Sequence, residues 1–267
     1  MVISYRGTLI RQILRRCHRA VAANKNSTSL TCFHGVWPPT ERRDFEQHMR
    51  IVPDFISEAE EKQLHEEIEP YMSRLRYEFD HWDDAIHGFR ETERKKWYPK
   101  NRELLERVRQ VAFNGEIMPY VHILDLAPDG VIKPHVDSTR VSLSSLEFNS
   151  CQITDACLLP QYCGNTISGI SLLSDSVMRL VRADAEKYQQ NSSNASTEDT
   201  SYRQQPEALL ENNFYADLLL PRRSLYIMSH TARYNFTHEI LGNEHSQFLG
   251  NPVKKTRRIS IICRNEP

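Results

Sequence analysis

Two hydrophobic periods divide the chain. Between residues 57 and 113 apolar positions recur at three- and four-residue intervals, the spacing of a helix with one buried face. Ser57 is followed by Glu58, Glu60 and Glu61, an N-cap with acids at the positive end of the helix dipole. Leu64, Ile68 and Tyr71 continue the stripe, predicting a helix to about residue 75. Leu104, Leu105, Val108 and the pair Val111/Ala112 predict a second helix from Asn101 to Phe113. From Pro119 the period shortens. Segments 120–127, 167–173, 176–182, 214–220, 224–229 and 257–263 are short, rich in Val, Ile, Leu and Tyr, and bounded by Gly, Pro, Asn or Ser, which predicts strands. Helices first and many short strands later define an α+β chain. The expected fold is a double-stranded β-helix (jelly-roll) core with N-terminal flanking helices.

Two stretches do not share these periods. Residues 139–162 mix polar and apolar positions, and residues 184–206 are rich in Ser, Asn, Gln and Thr. Both are expected to be insertions into the core, the second a loop without the apolar content to pack. The domain expectation is therefore a presequence over 1–40, then a single domain over 41–267 interrupted at 139–162 and 184–206.

Composition changes this picture mainly at the N-terminus. The net charge of −1 hides an asymmetry: residues 1–40 contain no Asp or Glu but carry six basic residues, Arg6, Arg11, Arg15, Arg16, Arg19 and Lys25. Leu9, Ile10, Ile13, Leu14, Cys17 and Val21 recur beside them at helical spacing. A basic amphipathic segment without acids is the composition of a mitochondrial transit peptide, and the expected location is the mitochondrial matrix. The rest holds 28 Lys+Arg against 35 Asp+Glu, a net of −7. Binding to duplex DNA, which rests on a basic surface, is not expected. No run of 18 apolar residues occurs, so no membrane insertion by a helix is expected. None of the six cysteines forms a CxxC, and free thiols are expected.

The candidate chemistry lies at the end of a predicted strand. His135 and Asp137 are two apart, so both side chains leave one face of an extended segment. Two histidines and one carboxylate, with coordination positions left open, form the facial triad of non-haem iron(II) oxygenases. An H-x-D triplet is weakly specific, and a second copy stands at His81-Trp82-Asp83 in a charged stretch that does not read as strand. Only the His135 triplet has suitable downstream partners. His238 follows Asp137 by 101 residues, or by 54 once the expected insertions of 24 and 23 residues are set aside. Arg258 and Arg264 then follow six residues apart, on one face of a predicted strand. A buried Arg there could hold the distal carboxylate of an oxoacid through its bidentate fork. Taken alone, the same arginines could serve as salt bridges tying down a C-terminal strand.

At this point the motifs resemble a known family. His135-x-Asp137, His238 and Arg258-x5-Arg264, together with DHWDDAIHGFRETE (80–93), VHILDL (121–126), IKPHVDS (132–138), ISGISLLSDSVMRLV (167–181), SLYIMSHTARYNFTHEIL (224–241) and RRISIICR (257–264), are similar to the AlkB family of iron(II)/2-oxoglutarate dioxygenases, in its mitochondrial animal branch. The resemblance covers roughly 50–264 outside the two insertions. It implies Fe(II) on His135, Asp137 and His238, with 2-oxoglutarate and dioxygen as cosubstrates. It implies that Arg258 pairs with the C5 carboxylate of 2-oxoglutarate, that Tyr226 hydrogen-bonds the same group, that Arg264 supports the pocket, and that His122 reaches the cosubstrate. The activity implied is hydroxylation, or oxidative demethylation, of a protein or mitochondrial RNA by a monomer, with links to programmed necrosis and fatty-acid metabolism. The alternative from another class is a non-enzymatic jelly-roll scaffold acting through a partner. Fold and chemistry do not choose the substrate.

Overall fold

In chain order the first elements are strand β1 (Thr31–His34), helix α1 (Pro39–His48), strand β2 (Met49–Val52), helix α2 (Glu58–Met72), strand β3 (Ile86–Arg94), helix α3 (Pro99–Ala112) and the long strand β4 (Val121–His135). After them come β5 (Arg140–Val141), β6 (Gln161–Tyr162), β7 (Thr166–Leu172), β8 (Ser176–Arg182), β9 (Tyr215–Leu220), β10 (Leu225–Ser229), a short helix α4 (His230–Tyr234), β11 (Phe236–Ile240), β12 (Gln247–Phe248), β13 (Asn251–Pro252) and β14 (Arg258–Arg264). The structure is a computed structural model that describes residues 29–79, 85–115, 117–137, 140–141, 161–183 and 214–266. The basic N-terminal segment to residue 28, the His81-Trp82-Asp83 triplet and most of both expected insertions lie outside the described residues.

Helix α2 forms where its capping signal stands. The Ser57 hydroxyl accepts from the Glu60 amide at 3.3 Å, and the Glu60 carboxylate accepts from the Ser57 amide at 2.8 Å, a reciprocal capping box. Leu64, Ile68 and Met72 of α2 meet Leu104, Leu105 and Val108 of α3, and both helices cover the outward face of the sheet through Ile170, Leu225, Ile259 and Ile261. Each such side chain contributes about 1.5–3 kcal/mol on burial. Glu61, buried at the start of α2, accepts from the Leu173 amide and from Arg222, fixing the helix to the sheet. Pro99 opens α3 at a position where a missing N–H costs nothing.

The strands run in the order β1-β9-β8-β11-β4-β14-β7-β10-β2, with β3 also on β4, and every pairing among the described residues is antiparallel. This is the double-stranded β-helix expected. Strand β4 belongs to both halves. Its first part, His122 to Leu126, pairs with β14, and its last part, Ile132 to His135, pairs with β11. The change of neighbour falls at Pro128–Gly130, where the register with β3 shifts between His87 and Phe89. Gly88 has φ +64°, and Gly130 packs directly on its backbone, so neither position has room for a side chain. The Lys255 ammonium closes the bend by donating to the carbonyls of Ala127 and Pro128 at 2.9 Å each.

Four differences from the sequence reading have physical causes. The domain packing includes residues before the expected boundary at 41: β1 pairs with β9, and Trp37 is buried, stacked on Phe236 with centroids 5.5 Å apart. Residues 86–94, within a stretch read as not extended, form β3; its Arg90, Glu91 and Arg94 pair with Asp125, His122 and Glu67. Helix α1 has only Phe45 buried, too little to give a visible apolar stripe. The segment expected as an insertion at 139–162 is joined at its base by a two-residue ladder, Arg140 with Tyr162 and Val141 with Gln161. Cys32, Cys163 and Cys263 are free, as expected for these thiols.

Candidate active site

Strands β4 and β11 bring the two histidines together. His238 lies directly opposite His135 in the ladder, with ring centroids 4.3 Å apart. Asp137 follows the end of β4, with Oδ1 3.4 Å from His135 Nε2 and Oδ2 4.0 Å from His238 Nε2. One ligand atom from each residue lies within 4.8 Å of the other two, and no other such group occurs among the described residues. His135 Nδ1 sits 2.9 Å from the Lys133 carbonyl, a backbone contact that orients the ring. His238 is buried. Burial, helped by His135 and Arg233 and opposed by Asp137, lowers its pKa to about 4, so the ring is neutral at physiological pH. Burial works to raise the Asp137 pKa, but His238, the His135 hydrogen bond and Arg264 outweigh it and hold the carboxyl well below the usual range. Two imidazoles and one carboxylate suit a divalent metal with open positions.

Beside this triad the inward face of the sheet carries polar groups in rows. Residues opposite one another on neighbouring strands share a face. One row runs Glu93, His122, Ile262, Gly169, Tyr226 across β3, β4, β14, β7 and β10. The next runs Glu91, Leu124, Ser260, Ser171, and Leu126 and Arg258 are paired in the row after it. Tyr226 lies over Gly169, where a Cβ would be 2.6 Å from the phenol oxygen. Burial raises the Tyr226 pKa, with Arg258 pulling the other way, so it remains a neutral donor.

Arg258 is 2% exposed. Its one hydrogen bond among the described residues goes from Nη2 to Ser171 Oγ at 3.3 Å, and Nε has no partner. Burial lowers its pKa, but an arginine stays charged. A buried cation without a carboxylate costs several kcal/mol. Among the described residues no carboxylate pairs with this arginine, so the salt-bridge alternative does not hold for it there. A dicarboxylate reaching from the triad to Arg258 would supply one.

The predicted residues thus fall on one inward-facing surface. His135, Asp137 and His238 converge; Arg258 and Tyr226 adjoin each other; Arg264, at the far end of the same β14 face, acts electrostatically on both Asp137 and Tyr226. His122 is on this surface too, with Nε2 2.9 Å from a Glu91 carboxylate oxygen. The sequence reading missed Gly169, Ser171, Glu91 and Glu93; a serine, a glycine and two acids carry no local signal for an inward position. Arg90 of β3 points the other way. Its Nε donates to buried Asp125 at 2.8 Å, and Arg257 holds the same carboxylate. His230 and His245 are exposed.

Two curated relatives settle the family. The chain is 43% identical over 219 residues to the mitochondrial alpha-ketoglutarate-dependent dioxygenase alkB homolog 7 of Bos taurus and to that of Mus musculus, covering 81% of this chain and 78% of each relative. The chain belongs to the AlkB family of 2-oxoglutarate-dependent dioxygenases. As a member of it, the protein is an oxidoreductase of a family whose general requirements are Fe(II), 2-oxoglutarate and dioxygen. Both relatives are named mitochondrial, which supports the same organelle for this AlkB protein. No family model matches the chain. Among solved structures, OsALKBH1 superposes with a TM-score of 0.42 at 11% identity, over 82% of this chain and 98% of that one. A Pseudomonas putida prolyl-4-hydroxylase gives 0.43 at 10% identity, over 85% and 98%. Among the described residues no helix is long and apolar enough to cross a membrane.

Proposed function

We propose that His135, Asp137 and His238 hold iron(II), and that Arg258 pairs with the C5 carboxylate of 2-oxoglutarate while Tyr226 donates to the same group. The observation that carries this reading is the buried Arg258 guanidinium, which has no counter-ion among the described residues and lies on the inward face that also bears the triad. Arg264 balances charge beside Asp137, and His122 borders the cosubstrate. When bound, iron(II) supplies activation of dioxygen, with 2-oxoglutarate leaving as succinate and carbon dioxide. The chain's own groups hold the metal in a partly buried site, orient the cosubstrate and position a C–H bond of the substrate. The substrate is a protein or an RNA of the mitochondrial matrix, hydroxylated or oxidatively demethylated. Its physiological setting is programmed necrosis and fatty-acid metabolism, as the resemblance implies, and the working unit is a monomer. Succinate formation from 2-oxoglutarate with iron(II) tests the assignment in wild type, His135→Ala and Asp137→Ala. Both variants are expected to fall to background. Equal turnover in all three overturns the enzyme reading and leaves a jelly-roll scaffold acting through a partner.

A further inference from the structure

From the end of β3 into the first turn of α3 the chain reads Arg94-Lys95-Lys96-Trp97-Tyr98-Pro99-Lys100-Asn101-Arg102, five basic residues without an acid. Glu91 and Glu93 precede the run and Glu103 and Glu106 follow it, so the positive charge is local in a body of net −7. The segment is pinned to α2. Arg94 Nη2 donates to buried Glu67 at 2.8 Å, Arg94 Nε donates to the Lys96 carbonyl at 2.6 Å, and the Tyr98 amide donates to the same Glu67 carboxylate at 2.8 Å. Glu67 thereby neutralises Arg94. Lys95, Lys96 and Lys100 are exposed and have no acidic partner among the described residues. Aromatic side chains stand among these cations. Tyr98 is 63% exposed, and Tyr71, one turn beyond Glu67 on α2, is 53% exposed. The Arg94 guanidinium lies over Tyr71, 4.7 Å from its centroid, and 5.3 Å from that of Trp97, and Lys95 Nζ stands 5.5 Å from the Tyr120 centroid. Trp97 Nε1 donates to the Arg94 carbonyl at 3.3 Å, so the indole can leave water without losing its hydrogen bond.

We propose that this patch of lysines and aromatic rings docks the protein on an anionic phospholipid surface, as a peripheral attachment and not a spanning one. Its chemistry matches that boundary. Lysines pair with headgroup phosphates while their stems lie along apolar surface, and Tyr and Trp rings settle between the headgroups and the acyl chains. Single-stranded nucleic acid, the other polyanion that cations and rings attract, asks for something else: open ring faces on which bases stack, and a basic track that follows the strand over several nucleotides. Here Arg94 and Lys95 already stand over rings, and acids bound the run at both ends. The attachment uses no residue of the metal group. Helices α2 and α3 cover the outward face of the sheet, and His135 and His238 meet on the inward one. Docking through the helical layer thus holds the protein at a bilayer with its candidate active site on the other face of the sheet.

The test uses the full chain carrying Arg6→Gln, Arg11→Gln, Arg15→Gln, Arg16→Gln and Arg19→Gln, so that the basic N-terminal segment does not bind vesicles on its own account. Partition of this parent is measured by co-sedimentation with vesicles of equal parts phosphatidylcholine and phosphatidylglycerol, and with phosphatidylcholine alone. One lysine near an anionic surface is worth about fivefold in partition. Adding Lys95→Gln/Lys96→Gln/Lys100→Gln is therefore expected to weaken binding to the anionic vesicles roughly a hundredfold, with the melting temperature unchanged. The single changes Lys96→Gln and Lys100→Gln, each expected to lose about fivefold, take its place if it melts lower. Tyr98→Ala, which keeps all three charges, is expected to bind several-fold more weakly than the parent. Equal partition of the parent and the lysine variants, or no preference of the parent for anionic vesicles, overturns the proposal. Binding of oligouridine through the same lysines, with vesicles left unbound, also overturns it and assigns the patch to nucleic acid.

Discussion

Tyr226 occupies the space that a side chain at position 169 would fill. A Cβ on Gly169 would stand 2.6 Å from the phenol oxygen, on the strand directly beside Tyr226. Gly169→Ala is therefore expected to move the ring, at a cost of about 1–3 kcal/mol from overpacking. Part of that cost should appear as a several-fold weaker affinity for 2-oxoglutarate with metal affinity unchanged. Calorimetry of the zinc-loaded protein measures both.

Arg258 offers a sharper separation of function from stability. Replacing a buried, unpaired charge with an apolar side chain of similar length removes a desolvation penalty. Arg258→Met is expected to melt no lower than wild type, and higher by a few degrees, in the absence of cosubstrate. It should also lose the stabilisation that wild type gains from 2-oxoglutarate, which follows from binding to the folded state alone. Thermal melts with and without 2-oxoglutarate decide it; destabilisation of the free protein by about 3–5 kcal/mol would mark an arginine with a structural partner.

The pH response follows from His238. Its pKa drops from 6.5 to about 4 on folding, so between those values the unfolded chain holds a proton that the native chain does not. Stability then falls as pH falls through that window. The loss from this group is about 2 kcal/mol between pH 7 and pH 5. Urea unfolding of the metal-free protein at the two pH values should show it, and His238→Gln should show that much less. Asp137 adds to acid sensitivity only below the ordinary carboxylate range, since its own pKa is depressed.

The N-terminal boundary can be located by truncation. Phe33, Trp37, Phe45, Phe214 and Phe236 pack together, and Phe236 is two residues before His238 on β11. A chain beginning at Ser29 is expected to keep wild-type stability. One beginning at Glu41 loses β1 and Trp37, and should be destabilised by roughly 5 kcal/mol, with weakened metal binding. Any processing of a presequence then has to fall before Thr31. Circular dichroism melts and zinc titration of the two truncations compare directly.

What was readable in the sequence follows from where burial is apolar. The capping box at Ser57, the stripe Leu64–Ile68 and the apolar strands β7, β8, β10 and β14 announced themselves because one kind of residue fills one face. The metal triad was readable because two of its members are two residues apart and chemistry restricts the third. Strands β3 and β11 were not. Glu91, Arg90, Thr237 and Glu239 look like surface residues, yet each faces a partner supplied from elsewhere in the chain, and only the tertiary arrangement makes their positions sensible. Asp125 is the extreme case. It is fully buried in the middle of an apolar run, held by Arg90 and Arg257 from segments 35 residues before it and 132 after it. The orientation of Arg90 could not be read from its neighbours for the same reason.

The site also carries information about the history of the molecule. Asp137 and His238 are 101 residues apart in the chain, and they meet only when β11 has docked on β4. Before that docking, the nascent polypeptide offers His135 and Asp137 without their third partner. Under the proposed assignment, ion capture is a late event that rewards completed assembly, and the metal content of a purified sample is expected to track the fraction of molecules that have finished folding.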